Sequence, residues 1–239
     1  MAFNSIDITT RKIDTDIEAH LPEDQKKFLA QYQERLAGIL IPENELKIAL
    51  DEAANVIIAD YKEEGISMIT GVYVLTGARV IYSELSRRLF NRGMIIVEDN
   101  TEISRYGSSL SGGVPRINLD VRNVKPKDHV LVTEDVIDEG ITLESLAKRL
   151  DLIKPESVKL FSLLFKPDKY EASLRIHYPI FKAADHWLVG MGMDLSVPID
   201  GKMRSLYREL PFVAVANPNY LLKTGQINEQ KAAQLKSLL

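Results

Sequence analysis

The clearest pattern of apolar and polar positions lies in the middle of the chain. Residues 130–132 are Val-Leu-Val, an apolar run that is typical of a buried parallel strand. An acidic loop follows, and then Leu143, Leu146 and Leu150 recur on one face of a helical pattern. Residues 130–150 are therefore predicted to form a strand, a loop and a helix, an arrangement that can bind an anion at the helix N-terminus.

The same periodicities predict the other elements, with strands and helices alternating along much of the chain. Helices are predicted over 25–40, 43–61, 80–90 and within 227–239, and strands over 71–75, 94–97, 114–120, 158–165 and 211–215. Residues 98–113 are rich in glycine and serine. They are predicted to form a long connection, either a lid that closes over a reacting centre or a disordered hairpin without chemistry.

The acidic loop carries the strongest candidate chemistry. Glu134 and Asp135 are adjacent acceptors that suit a ribose diol, directly or through a divalent metal. Gly140 would let the backbone approach an anion closely, and Thr142 adds a hydroxyl donor beside the helix amides. The alternative is an ordinary turn between strand and helix, with solvated acids and Thr142 as the helix cap. A second corner of this kind, or a plain cap, is predicted at Thr76.

Composition narrows the class of protein. The chain has 239 residues, of which 45% are hydrophobic and 27% charged, as in ordinary globular proteins with a large core. Its net charge of −4 argues against nucleic acid as a partner. It contains no cysteine, no apolar run of the ~20 residues that a membrane span needs and no secretory signal pattern, so we expect a cytoplasmic location and no membrane partner.

The string from Val130 to Thr142 resembles the phosphoribosyl-pyrophosphate (PRPP) signature of the type I phosphoribosyltransferases. That signature is an apolar strand, two acids, two apolar residues, an acid, a small residue, Gly, any residue and Thr. Glu139 stands where Thr or Ser is commoner. The resemblance implies that Glu134 and Asp135 hold the ribose hydroxyls. It also implies that the loop binds PRPP through Asp138 and through the amides of Glu139, Gly140, Ile141 and Thr142, which would hold the 5′-phosphate.

Three further segments are similar to those of the 6-oxopurine (hypoxanthine-guanine) phosphoribosyltransferases. Leu75-Thr76-Gly77 falls where that family holds pyrophosphate, commonly with Leu-Lys-Gly, which implies that Thr76 and Gly77 bind it through backbone amides. Ser162-Leu163-Leu164-Phe165-Lys166 resembles the run whose lysine donates to O6 of the purine. In the predicted lid, Arg105 and Tyr106 occupy the place of the family's Ser-Tyr pair.

Residues 185–194 resemble the hood that covers the purine in this family. The resemblance implies that Trp187 stacks on the base, that Leu188 meets the base edge through its backbone and that Asp194 contributes to a Mg²⁺ site together with Glu134 and Asp135. Arg208 lies in a segment that resembles aromatic-Arg-Asp-Leu, whose arginine grips pyrophosphate, and Arg204 is the alternative.

The resemblance implies an α/β fold with a twisted, mainly parallel sheet, flanking helices and a small hood. We expect a helical N-terminal extension over 1–40 and a phosphoribosyltransferase domain over 41–216, with the hood from 41–60 and 166–216. A helical tail is expected over 217–239.

The implied reaction joins hypoxanthine or guanine to PRPP, giving IMP or GMP and pyrophosphate, with Mg²⁺ as cofactor and Asp138 at N7 of the purine. A homodimer or homotetramer is expected. Two alternatives remain open: a xanthine-preferring transferase, and a PRPP-sensing regulator without catalysis, which the departures at Thr76, Glu139 and His186 would fit.

Overall fold

The structure, a computed structural model that describes residues 3–106 and 114–239, contains twelve strands and seven α-helices within those residues. The strands are β1 (Ile6–Asp7), β2 (Leu36–Ile41), β3 (Met68–Leu75), β4 (Ile95–Tyr106), β5 (Val114–Leu119), β6 (His129–Ile137), β7 (Ser157–Phe165), β8 (Tyr178–Lys182), β9 (Leu188–Val189), β10 (Leu195–Ile199), β11 (Lys202–Leu206) and β12 (Val213–Ala216). The helices are α1 (Ile17–His20), α2 (Leu29–Arg35), α3 (Glu43–Glu63), α4 (Ala78–Phe90), α5 (Ile141–Ile153), α6 (Pro218–Lys223) and α7 (Glu229–Lys236), with 3-10 helices at Glu23–Phe28 and Pro167–Lys169.

A seven-stranded sheet in the order β1-β8-β7-β6-β3-β4-β5 forms the centre of the first of two compact units, which contains Ala49–Lys182 and the short segment ending at Ile6. Neighbouring strands from β8 to β4 are parallel, and β5 is antiparallel to β4. The mainly parallel sheet with flanking helices is therefore confirmed. Because parallel strands end at the same edge of a sheet, Thr76, Asp138 and Lys166 follow β3, β6 and β7 at one edge.

The core beside β6 follows from the central sequence pattern. Val130 and Val132 are buried and pack with Leu143, Leu146 and Leu150 of α5 in one hydrophobic cluster. Burying each leucine stabilises the fold by about 1.5–3 kcal/mol relative to leaving it exposed. The strand and the helix are thus held together, and the loop between them is fixed at both ends.

The second unit contains Asp7–Ile48 and Ala183–Leu239. Its three-stranded antiparallel sheet has the order β2-β12-β9, and β10 and β11 form a separate hairpin. Its core includes Leu36, Phe212 and Leu235, so both N-terminal and C-terminal segments contribute to it. Helices α6 and α7 are capped by the side chains of Asn217 and Asn228, each of which accepts a hydrogen bond from a backbone amide.

The structure corrects two boundaries. The predicted helix over 25–40 is wrong from residue 36 onward, because residues 36–41 form β2 and pair with β12. A strand and a helix would both place Leu36 and Leu40 on one buried face, so the spacing fits either element. The pairing with β12 makes this segment a strand. The predicted loop over 98–113 is too long, because β4 extends to Tyr106. The helix predicted within 227–239 is present as α7, and α6 precedes it in the expected helical tail. No helix among the described residues is long and apolar enough to cross a membrane.

Candidate active site

A cleft of about 340 Å³ lies at the carboxyl end of β6 in the first unit. It brings together many of the residues that the PRPP signature singles out. The lining residues are Glu134, Val136, Ile137, Asp138, Glu139, Gly140, Thr142, Leu143 and Lys169. The cleft is mostly polar at its acidic loop and lies against the start of α5, as expected for a phosphate-binding corner.

Gly140 forms the turn from the loop into α5. Its φ is +83°, a left-handed conformation that a residue with a side chain rarely adopts. A Cβ at this position would also lie 2.5 Å from Cε2 of Tyr170, so both conformation and space require glycine. Gly140 holds the N-cap position without a side-chain cap, and Thr142 lies inside the first turn of α5. The alternative in which Thr142 caps the helix is therefore wrong, because no side chain of the described residues caps α5 at Gly140.

Two lysines lie against the Asp138 carboxylate in the cleft. Nζ of Lys166 lies 3.0 Å from its Oδ1, and Nζ of Lys169 lies 3.1 Å from its Oδ2. The Lys166 side chain is only 8% exposed, and the Lys166 amide donates to the Ile137 carbonyl at 3.0 Å, which places it beside Asp138. A buried ammonium needs such a partner, because an unpaired charge in a low-dielectric site is costly.

The loop after β3 meets the acidic pair of β6 directly. A Cβ at Gly77 would lie 1.9 Å from Oδ2 of Asp135, so the Asp135 carboxylate rests against a position that only glycine leaves open. Oδ1 of Asp135 accepts the amide of Val136 at 2.9 Å. The peptide bond between Leu75 and Thr76 is cis. The structure thus joins the predicted pyrophosphate loop to the predicted ribose-binding acids.

Glu134 is half-buried, as Asp135 is, but one of its carboxylate oxygens is shielded from solvent. Its Oε2 is buried and has no hydrogen-bond partner among the described residues. Burial, and secondarily the neighbouring charge of Asp135, raises the pKa of Glu134 well above its usual range. A cation or a hydroxyl donor brought by a ligand would satisfy this atom.

The second unit holds its own group of predicted residues. Nη2 of Arg208 lies 2.8 Å from Oδ1 of Asp194, and its Nη1 donates to the Gly192 carbonyl. Trp187 packs partly buried against the hydrophobic cluster of this unit. Leu188 is buried in β9 and pairs with Val215 of β12. Arg204, the alternative to Arg208, is exposed on the β10–β11 hairpin.

The predicted lid lies only partly within the described residues. Arg105 and Tyr106 belong to the end of β4, where they pair with Pro115 and Val114 of β5. They are therefore strand residues and not loop residues, since the antiparallel pairing continues that far. Residues 107–113, the rest of the predicted lid, lie outside the described residues. A role for Arg105 and Tyr106 in closure stays a prediction.

Comparison with known proteins identifies the fold and the signature together. A model of the phosphoribosyl transferase domain matches residues 42–195. The chain belongs to the phosphoribosyltransferase family. This match ends before Arg208, α6 and α7, so the phosphoribosyltransferase domain accounts for all of the first unit after residue 49 and for only part of the second.

Several similar proteins are named hypoxanthine-guanine or hypoxanthine phosphoribosyltransferases. The hypoxanthine-guanine phosphoribosyltransferase of Crithidia fasciculata is 31% identical over 188 residues, covering 77% of this chain and 86% of the relative. That of Mycobacterium tuberculosis is 32% identical over 197 residues, covering 78% and 89%. A solved hypoxanthine phosphoribosyl transferase of Trypanosoma cruzi aligns with a TM-score of 0.71 at 27% identity, covering 81% of this chain and 98% of that one.

The phosphoribosyltransferase fold raises the question of where Mg²⁺ would bind. No group of three or more His, Asp or Glu side chains within residues 3–106 and 114–239 is arranged to hold a metal ion. Mg²⁺ is usually held by one or two carboxylates together with substrate phosphates, however, and the adjacent Glu134 and Asp135 with the unpartnered Oε2 fit that mode. The residues present therefore fit a metal that arrives with the substrate.

Lys169 and Tyr170 are the site residues that sequence reasoning missed. Lys169 lies three residues after Lys166, in a Lys-Pro-Asp-Lys turn that reads as solvated. Pro167 at the start of a 3-10 helix is the one signal that the second lysine turns back toward the first. Tyr170 packs against Gly140 across the sheet edge, a long-range contact that local spacing does not reveal.

Proposed function

We propose that this chain transfers the phosphoribosyl group of PRPP to hypoxanthine or guanine, giving IMP or GMP and pyrophosphate. The observation that carries the proposal is the pair of Asp138 and Lys166, 3.0 Å apart at the carboxyl edge of the sheet beside the N-terminus of α5. A carboxylate and an ammonium held side by side suit the N7 and O6 edge of a 6-oxopurine. The names of the relatives support the same reaction.

The acidic loop binds the ribose phosphate in this proposal. The backbone amides of Glu139, Gly140, Ile141 and Thr142 hold the 5′-phosphate at the start of α5, where the helix dipole favours an anion. Glu134 accepts from the ribose hydroxyls, and Asp135 does so beside Gly77. The buried Oε2 of Glu134 supports this role, because it is an acceptor that the described protein leaves unmatched.

The base lies against the two charged side chains at the sheet edge. Lys166 donates to O6, which selects a 6-oxopurine over adenine, because adenine carries a donor at that position. Asp138 takes or holds the N7 proton as the bond from C1′ to the purine forms. In this proposal Trp187 stacks on the purine ring and Leu188 meets its edge through the backbone.

Departure of pyrophosphate leaves C1′ with oxocarbenium character, and this chain's residues stabilise the leaving group. Arg208 binds its phosphates, since a guanidinium matches them bidentately, and the backbone of Thr76 and Gly77 donates to them. Glu134 and Asp135 would hold Mg²⁺, a role that the family's pattern also implies for Asp194, and the ion would supply positive charge to the departing diphosphate when bound. Electrostatic stabilisation of this kind is usually the largest contribution to the rate.

Steady-state product formation tests the proposal, with PRPP and Mg²⁺ against hypoxanthine, guanine, xanthine and adenine in parallel. Turnover of hypoxanthine and guanine is expected. Turnover of xanthine alone would point to a xanthine-preferring transferase, and PRPP binding without turnover of any base would point to a regulator.

A substitution tests the role of Asp138. Asp138→Asn should lower kcat by ~10²–10⁴ with little change in KM. Asp151→Asn, an exposed site on α5, is the matched control and should be unaffected.

We also propose that the chain self-associates as a dimer or tetramer in the cytoplasm. Phe90 and Ile95 support association, because these large apolar side chains are 69% and 58% exposed within one unit. The absence of cysteine from the sequence agrees with a reducing compartment. Light scattering on the purified chain should give the mass of at least two copies, and a monomeric mass would contradict this part of the proposal.

A further inference from the structure

The Asp138 carboxylate lies between two lysines that come from one turn of the chain. Lys166 faces Oδ1 at 3.0 Å and Lys169 faces Oδ2 at 3.1 Å. The two lysines differ in burial, because the Lys166 side chain is 8% exposed and that of Lys169 is 31% exposed. One lysine is enough to balance the charge of the Asp138 carboxylate, so the second lysine is not needed for charge balance alone.

We propose that Lys169 is a positioning residue that keeps Asp138 oriented when Lys166 turns to the base, an inference that rests on the proposed function. The Lys166 ammonium cannot lie at its best distance from both Asp138 and O6 of the purine at the same time. When the base takes Lys166, the Oδ1 side of Asp138 faces the purine, and Lys169 holds Oδ2. Asp138 thereby keeps a cation beside it in the low-dielectric site throughout the reaction.

The backbone around Lys169 is fixed to the loop that carries Asp138. Lys169 ends the 3-10 helix Pro167–Lys169, and its amide donates to the Lys166 carbonyl at 3.1 Å. The amides of Glu171 and Ala172 then donate to the carbonyl of Glu139, at 3.2 and 3.1 Å. Asp138 is next to Glu139, and Lys169 lies two residues before Glu171, so these backbone hydrogen bonds restrict the position of Lys169 relative to Asp138.

Aromatic packing closes the same turn from the other side. The Tyr170 ring lies edge-on to Phe165 with ring centroids 5.2 Å apart, and it fills the space where Gly140 has no side chain. The Tyr170 hydroxyl donates to the Leu174 carbonyl at 2.6 Å. A solvated surface lysine would not need this support. Lys169 thus differs from an ordinary charged residue at a strand end, because the turn that carries it contacts both Glu139 and Gly140 of the acidic loop.

The test is a double-mutant cycle on steady-state kinetics with hypoxanthine and PRPP. Lys169→Met should lower kcat by ~10–10²-fold while the KM for each substrate changes by less than ~3-fold, because orientation of Asp138 matters most in the transition state. Lys169→Arg should restore kcat to within about 3-fold, because it keeps the charge. In the Asp138→Asn background, Lys169→Met should lower kcat by less than about 2-fold further, since the two residues act through one contact.

Lys148→Met is the matched control, because Lys148 is exposed on α5 in the same unit, and it should leave both constants unchanged. Thermal unfolding of every variant shows whether a lower kcat reflects lost folded protein. An unimpaired Lys169→Met variant, or an equal loss of kcat in the Asp138→Asn background, overturns the inference while the proposed function stands. Failure of the unmutated chain to use hypoxanthine or guanine overturns both.

Discussion

Replacing Gly77 with Ala tests whether close contact between two loops sets the activity of the site. The added Cβ would lie 1.9 Å from Oδ2 and 2.6 Å from Cγ of Asp135. To reach the 3.4 Å at which ordinary contact begins, the Asp135 carboxylate must retreat by about 1.5 Å. The backbone would accept alanine, because Gly77 has φ −62° and ψ −50°, a right-handed helical conformation. The change therefore acts on Asp135 and not on the fold of α4.

The expected effect is a large loss of activity with little loss of stability. A misplacement of ~1 Å at a reacting centre can lower the rate by about 10²-fold, so Gly77→Ala should lower kcat/KM for PRPP by at least that factor. The free energy of unfolding should change by less than ~1 kcal/mol, because alanine adopts this right-handed conformation and restricts the unfolded chain more than glycine does, which offsets part of the displacement. The assays are initial rates against PRPP concentration at saturating hypoxanthine, and urea unfolding followed by circular dichroism.

Asp135→Ala provides the control for Gly77→Ala. The three atoms nearest to the added Cβ all belong to the Asp135 carboxyl group, so removing that group removes the clash. In the Asp135→Ala background, Gly77→Ala should have no further effect on kcat/KM. Wild-type kinetics for Gly77→Ala alone would refute the reasoning, because they would mean that the carboxylate position is not critical or that the loop yields without cost.

Three other predictions follow from single residues. Burial raises the pKa of Glu134 above its ordinary 4.5, so the folded chain holds this proton more tightly than the unfolded chain does, and the resulting stabilisation is lost as the pH rises through the folded pKa. Glu134→Gln should therefore gain in melting temperature over the unmutated chain as the pH is raised above 4.5, and parallel melting curves would contradict this. Trp187 is the sole tryptophan, so adding GMP should change the intrinsic fluorescence if the ring stacks on the base, and an unchanged spectrum at saturation would argue against stacking. Lys231 of α7 pairs with Asp185 at 2.6 Å, so Lys231→Met should lower the free energy of unfolding by about 1 kcal/mol, whereas Lys236→Met, at an exposed site on the same helix, should not.

The sheet and the acidic loop after β6 are the parts of the molecule that the local pattern of apolar and polar residues predicts. Residues 130–132 and α5 follow from hydrophobic spacing, because a buried strand and a one-faced helix leave different periods in the sequence. The strand over residues 36–41 cannot be predicted from spacing, because the spacing fits a helix as well as a strand. Only the pairing with β12 makes the segment a strand. The extension of β4 to Tyr106 is likewise set by its partner β5 and not by its polar residues.

The candidate site divides in the same way between local and distant contacts. Asp138 and Gly140 are predictable from one string of sequence, because a strand, a turn and a helix N-terminus are neighbours along the chain. The approach of Asp135 to Gly77 joins positions that are far apart in sequence, and the spacing of neither loop encodes it. Lys169 is closer to Lys166 in sequence, yet its direction depends on the 3-10 turn and on the carbonyl of Glu139.

The strand order β2-β12-β9 has a consequence for synthesis on the ribosome. Ile41 is made early, but its partner Val213 is made only after the whole parallel sheet of the first unit has emerged. Until then β2 is a nascent apolar strand with an open edge, the kind of segment that pairs with other chains. The yield of this protein in cells should thus depend on whether chaperones cover residues 36–41 during translation, and not only on the stability of the folded enzyme.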